Sequence, residues 1–292
     1  MPSVAGYVKK AEEQKIPISQ VILAEQSREQ EQPREVLEEK MRQMLQVMQE
    51  SAREGENPEL RSHSGLTGGA ASKVMERARQ GESLCGPYFG KAVARALAVS
   101  ECNACMGRIV AAPTAGSCGI LPAALLTIME EKGLSEEKAV MGLFTAAGIG
   151  TVIASNATVS GAQGGCQAEV GSASAMAAAA IVEMMGGTPQ MCANACAIAL
   201  KNVLGLVCDP VAGLVEVPCV KRNAMGVVNA LAAAEMALAG VESVIPADEV
   251  ILAMKRVGNT LPATLRETAE GGLADTPTGR SIAQTFFQQE IR

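Results

Sequence analysis

Tryptophan is absent from this chain, histidine occurs once, and the aromatic residues together make up 2% of 292 positions. A core built on large rings is therefore excluded. Positive charge is also short, with a formal net charge of −6 and a pI of about 5.1. That balance gives no electrostatic footprint for nucleic acid and no patch for an anionic membrane. Long apolar runs are missing. The most apolar one, Val140 to Ala154, is broken by Gly142, Gly148 and Gly150. It is too short for a membrane span and reads as a buried core helix. The first residues lack the basic and apolar regions of a signal peptide. Almost no stretch alternates polar and apolar residues with period two, so a strand-rich fold is excluded as well.

What is present is small and apolar. Hydrophobic residues make up 48%, with 29 Gly and 15 Met. Such a composition suits closely packed helices with small residues at their contacts, and the expected fold class is all-α. Residues 1–60 read as an N-terminal polar segment, irregular to about residue 33, followed by an amphipathic helix opened by Pro33-Arg34. In that helix Val36, Leu37, Met41, Met44, Leu45 and Met48 recur near the helical period. Residues 61–292 read as a multi-helix catalytic domain. Helices are expected over Ala70 to Arg79, Tyr88 to Ser100, Ile120 to Lys132, Glu169 to Met185, Asn223 to Ala239 and Ala247 to Val257. Ser135 caps the helix that follows it. Thr188 caps another, with Pro189 at its first position.

Nine cysteines form an odd set. In a chain without secretory features they are expected reduced, in the cytoplasm, with metal binding favoured over disulfides. Cys208-Asp-Pro-Val-Ala-Gly-Leu-Val-Glu-Val-Pro-Cys219 is a shaped turn segment, since its prolines and glycine cannot continue a helix. Cys166 stands upstream in Gly164-Gly-Cys-Gln-Ala-Glu-Val-Gly171. The intervals match no zinc-finger spacing. By residue type alone, two readings stay open. Three thiolates from separate loops would suit an iron–sulfur cluster with one iron left open, and buried apolar cysteines would look the same. Cys102 and Cys105 have the spacing of a redox or zinc pair, but no second pair follows. Cys192 and Cys196 share one helix face, where packing is the default.

Glycines and hydroxyls mark two further loops, Ser64-Gly-Leu-Thr-Gly-Gly69 and Pro113-Thr-Ala-Gly-Ser117. Each leads toward a helix and can present backbone N–H groups to an anion. His63, with an ordinary pKa near 6.5, is a candidate base by residue type.

These motifs, with Arg108 to Ser117 and Lys221 to Gly226, resemble the iron–sulfur-dependent L-serine dehydratases. The likeness spans roughly residues 60 to 275 and is strongest to the α chain of the two-subunit form. It implies a lyase of serine degradation that eliminates water from L-serine to give pyruvate and ammonia. It implies a [4Fe–4S] cofactor held by Cys166, Cys208 and Cys219 on inter-helix loops, whose open iron acts on the hydroxyl. Ser64, Thr67, Gly68, Asn103, Thr114 and Gly116 are implied to bind substrate. The family commonly has Asn where Ala115 stands, and it does not require a histidine at position 63. The base is therefore expected from a β chain in a hetero-oligomer. The same scaffold could desulfurate cysteine or dehydrate threonine. A non-catalytic electron-transfer subunit is a further alternative, though that class usually has four cysteine ligands.

Overall fold

The computed structural model describes residues 1–290, and among them α-helix dominates, with no strand. The all-α expectation holds. Thirteen α-helices follow in order among the described residues: α1 Val4–Gln14, α2 Ile18–Glu29, α3 Arg34–Gly55, α4 Ala70–Arg79, α5 Gly86–Ala104, α6 Ile120–Lys132, α7 Glu136–Asn156, α8 Gly161–Gly164, α9 Ser172–Met184, α10 Pro189–Lys201, α11 Cys219–Leu238, α12 Ala247–Thr260 and α13 Pro277–Glu290. Ser135 and Thr188 cap α7 and α10 as their sequences suggest, accepting from Lys138 N and Met191 N.

Residues 1 to 33 are not irregular. They form α1 and α2. Val4, Tyr7, Val8 and Ala11 are buried on α1, and Ile18, Val21 and Ile22 on α2. Those positions follow the i, i+3, i+4 rule, but polar neighbours outnumber them and dilute the pattern. The Asp248 carboxylate accepts from Val4 N and Ala5 N at 2.8 and 3.0 Å, joining the start of α1 to α12. A carboxylate there also meets the positive end of the helix dipole. Side chains of α1 and α2 share one apolar cluster with α6, α7, α9, α10 and α12.

The buried axis is α9. Ala175, Ala177, Ala178, Ala179 and Ala180 are fully enclosed, and α9 packs against α7, α10, α11 and α6. Alanine lets those backbones approach closely, and a larger residue would overpack the contacts at about 1–3 kcal/mol. α7 alone among the described helices has the length and hydropathy of a membrane span, yet most of it is buried inside this fold. Its glycines mark close contacts, since a β-carbon on Gly148 would lie 2.5 Å from the Ile22 side chain.

Ahead of α9 the chain makes a π-helical turn, Gln167–Gly171. Such turns disturb the regular bond ladder and recur at functional sites. The buried Gln167 amide secures this one. It donates to Gly164 O and Met254 O at 2.9 and 3.0 Å and accepts from Gly205 N at 2.9 Å.

Candidate active site

Cys166 immediately precedes the π-helical turn and is 3% exposed. Cys208 lies in the loop after α10. Its N–H donates to Leu265 O at 2.9 Å and its carbonyl accepts from Glu267 N at 2.8 Å. Cys219 is the first residue of α11. The expected placement on inter-helix loops thus describes Cys208, while Cys166 and Cys219 stand at helix starts. Asp209 braces the region. It pairs with Arg222 at 2.8 Å and accepts from Leu273 N at 2.8 Å. Arg222 also donates to Val207 O at 2.8 Å. Gly272 has φ +60, and a β-carbon there would sit 2.5 Å from Asp209 Oδ2, so only glycine suits that position.

The three thiols share one electrostatic environment. Burial pushes Cys166 up to about 11, while the neighbouring Arg222 opposes the shift. Burial pushes Cys219 up to about 12, aided by negative charge at Cys166 and Glu169. Cys208 is raised by burial first, then by Glu169, Cys166, Glu267 and Cys219. Positive charge placed among them would stabilise the thiolates. No three His, Cys, Asp or Glu side chains among the described residues converge tightly enough for a single metal ion. Thiolates are the usual ligands of iron–sulfur clusters, so these three side chains are the ones in this region that could hold such a group.

Glu169 connects the thiols to the Thr114 turn. Thr114 Oγ1 donates to Glu169 Oε1 at 2.7 Å and lies 3.1 Å from Ser117 Oγ. The Cys208 thiol lies 3.8 Å from Glu169 Oε2. Burial raises the Glu169 pKa above its ordinary value. A β-carbon on Gly116 would come within 3.0 Å of Glu169 Oε1. Asn223, 1% exposed, fixes this turn to α11. It accepts from Gly119 N at 2.9 Å and donates to Gly116 O and Cys219 O at 2.8 and 3.0 Å. Asn103, near the end of α5, donates to Ala115 O at 3.4 Å.

The Ser64 loop closes against the cysteine loop through Glu216. Ser62 Oγ donates to Glu216 at 2.6 Å and Ser64 Oγ at 2.9 Å. Thr67 is buried, and Gly68, at φ +131, has no room for a β-carbon beside Leu60 O. The first turn of α4 does not await an external anion. Its Ala70 and Ala71 N–H groups donate to the buried Glu101 carboxylate at 2.9 and 3.1 Å. His63 is exposed and meets the Phe286 ring edge-on.

Cys102 and Cys105 do not form a reactive pair. Cys102 is buried beside Glu54, and burial first, then that carboxylate, push its thiol up to about 12. Such a thiol holds its proton and is a poor nucleophile. Cys192 and Cys196 lie in the core at 1% and 0% exposure. A cavity of about 410 Å³ lined by Tyr88, Phe89, Ile128, Leu231 and Leu238 contains none of the site residues above.

The sequence profile of the serine dehydratase α chain family matches residues 13–274. The chain belongs to this family. It is 53% identical over 285 residues to a probable L-serine dehydratase α chain of Bacillus subtilis, covering 98% of this chain and 95% of that one. It is 47% identical over 277 residues to the L-serine dehydratase α chain of Peptoniphilus asaccharolyticus, covering 95% of each. An L-serine dehydratase of Streptomyces coelicolor is 48% identical over 181 residues, 61% of this chain but 40% of that protein. In this member of the family the cysteines, Thr114 and Asn103 are marked by their motifs, whereas Glu169, Glu216, Arg222 and Asn223 carry no local sign of a role. All four lie inside the motifs quoted above, and only their long-range partners show what they hold.

Proposed function

We propose that this chain catalyses β-elimination of water from L-serine, giving pyruvate and ammonia, and that Cys166, Cys208 and Cys219 hold a [4Fe–4S] cluster. The carrying observation is the shared environment of the three thiols beside Glu169 and Arg222. When bound, a cluster with one iron free of protein thiolate supplies a Lewis acid for the departing hydroxyl. This chain's own residues bind and position the substrate. The Thr114–Ser117 turn and Asn103 bind and orient the substrate carboxylate, and Ser64, Thr67 and Gly68 border the bound substrate. Glu169 orders that turn through its bond from Thr114, and Asn223 holds it against α11.

Removal of the α-proton and loss of the β-hydroxyl leave aminoacrylate and water. Aminoacrylate tautomerises to the imine, and a second water hydrolyses it to pyruvate and ammonia. The base needs a pKa near the working pH. We assign it to a β chain docked over the Ser64–Gly69 and Thr114–Ser117 loops. Met106, three residues after Asn103, and Val215, next to Glu216, are exposed apolar side chains at 90% and 36%.

The test is anaerobic purification, followed by iron and sulfide analysis and a serine-dependent pyruvate assay with the β chain. Cys→Ser at 166, 208 or 219 is expected to abolish cluster retention, while Cys102→Ser and Cys192→Ser keep it. Activity should fall in air and return with ferrous iron and reductant. A colourless, iron-free chain that still turns over serine would sink the cluster assignment.

A further inference from the structure

Glu216 is 6% exposed, with no positively charged partner among the described residues. It enters no ion pair among the described residues, and its oxygens take hydrogen bonds from the Ser62 and Ser64 hydroxyls. Glu101 and Asp209, equally buried, both meet positive charge: Asp209 faces Arg222, and Glu101 takes two N–H groups at the positive end of the α4 dipole. Arg61, on the same turn, is directed at the Pro58 and Leu60 carbonyls. A buried carboxylate with only neutral donors is costly to keep unless a cation completes it. A second observation falls in the same turn. The Thr67 hydroxyl is buried and has no partner, although Thr67 N donates to Ser62 Oγ at 3.3 Å.

We infer that Glu216 receives the α-ammonium group of the amino-acid substrate, an assignment that rests on the proposed serine elimination. The ammonium brings three donors and one positive charge. Ser62 and Ser64 donate to Glu216 and so hold its oxygens as acceptors. Glu216 also lies in the loop between Cys208 and Cys219, beside the segments that bind and activate the rest of the molecule. Zwitterionic amino acids are thereby favoured over hydroxy acids of the same shape.

The test compares L-serine with 3-hydroxypropanoate, which is serine without its amino group, in the cluster-loaded chain assembled with its β chain. Steady-state KM and kcat are measured for L-serine, and an inhibition constant for 3-hydroxypropanoate. In Glu216→Gln, KM for L-serine is expected to rise about 10–100-fold, the range of a charge-assisted bond. kcat should change less, and the 3-hydroxypropanoate constant should stay within about twofold. Glu216→Asp, which keeps the charge, should recover part of the discrimination. It also serves as the second reading if Glu216→Gln loses iron or helix content. Equal losses for both ligands, or no loss for either, would overturn the ammonium assignment alone. A wild-type enzyme that neither binds nor turns over L-serine would overturn the proposed function as well.

Discussion

A β-carbon on Gly161 would lie 3.0 Å from the Cys208 sulfur, and the same atom would lie 2.5 Å from Glu169 Oε2. Gly161 opens α8 without a positive φ, so alanine meets no backbone penalty there. Gly161→Ala therefore acts by pushing Glu169 and Cys208 apart. Iron retention and serine turnover are expected to fall about 10–100-fold, the range seen when supporting residues around a metal centre are disturbed. Far-ultraviolet circular dichroism should remain that of the wild type. Full iron content in this variant would show that Cys208 does not need its present position.

Asn223→Ala removes three hydrogen bonds and strands the Gly119 N–H and the Gly116 carbonyl. A buried polar group left without a partner costs about 1–3 kcal/mol. Denaturant unfolding should report a loss of that order, and KM for serine should rise as the Thr114 turn loosens. Asn223→Asp keeps the acceptor for Gly119 but turns a carboxylate oxygen onto both carbonyls, so at neutral pH its stability should fall at least as far as that of Asn223→Ala. Equal stability for all three proteins would remove Asn223 from the account.

Glu183, on α9, accepts from Thr145 Oγ1 at 2.7 Å and Ser19 N at 3.2 Å. Burial raises its pKa above the ordinary 4.5, and the two donors only partly oppose this. The folded chain thus holds the proton more tightly than the unfolded chain does. This favourable contribution is complete in acid and is lost as pH rises from 4.5 through the raised folded value. In Glu183→Gln the amide oxygen can accept both bonds without carrying charge. Thermal unfolding of the two proteins should nearly coincide near pH 4.5. By pH 8 the variant should be the more stable of the two. A constant difference across that range would contradict the assignment of a buried carboxylate cost.

Much of the helix layout was legible because its signals are local. Thr188 with Pro189, Ser135 with Glu136, and the start at Arg34 follow from capping chemistry and the proline. α1 was hidden because Val4, Tyr7, Val8 and Ala11 are scattered among charged neighbours. The site was only half legible. Thr114 reaches Glu169 across 55 positions, and Ser62 reaches Glu216 across 154. Nothing local to Glu169 or Glu216 marks it as a partner of a distant hydroxyl. The glycine-rich run before Ala70 suggested a waiting anion site, but Glu101 arrives from another helix to fill it.

His63 is the one histidine in the chain, and its exposed ring packs edge-on to Phe286 with centroids 6.5 Å apart. Neighbouring Ser62 and Ser64 both bind Glu216, so the backbone here is anchored whichever side chain stands at 63. Replacing His63 by Ala should therefore leave the Ser64 loop in place. With the β chain supplying the base, His63→Ala should retain serine turnover within about threefold, because a missing general base removes 10²–10⁴-fold instead. The cluster-loaded chain alone should bind L-serine, detected calorimetrically, yet release little pyruvate until the β chain is added. Full turnover by the isolated chain, lost in His63→Ala, would reverse the assignment and make His63 the base.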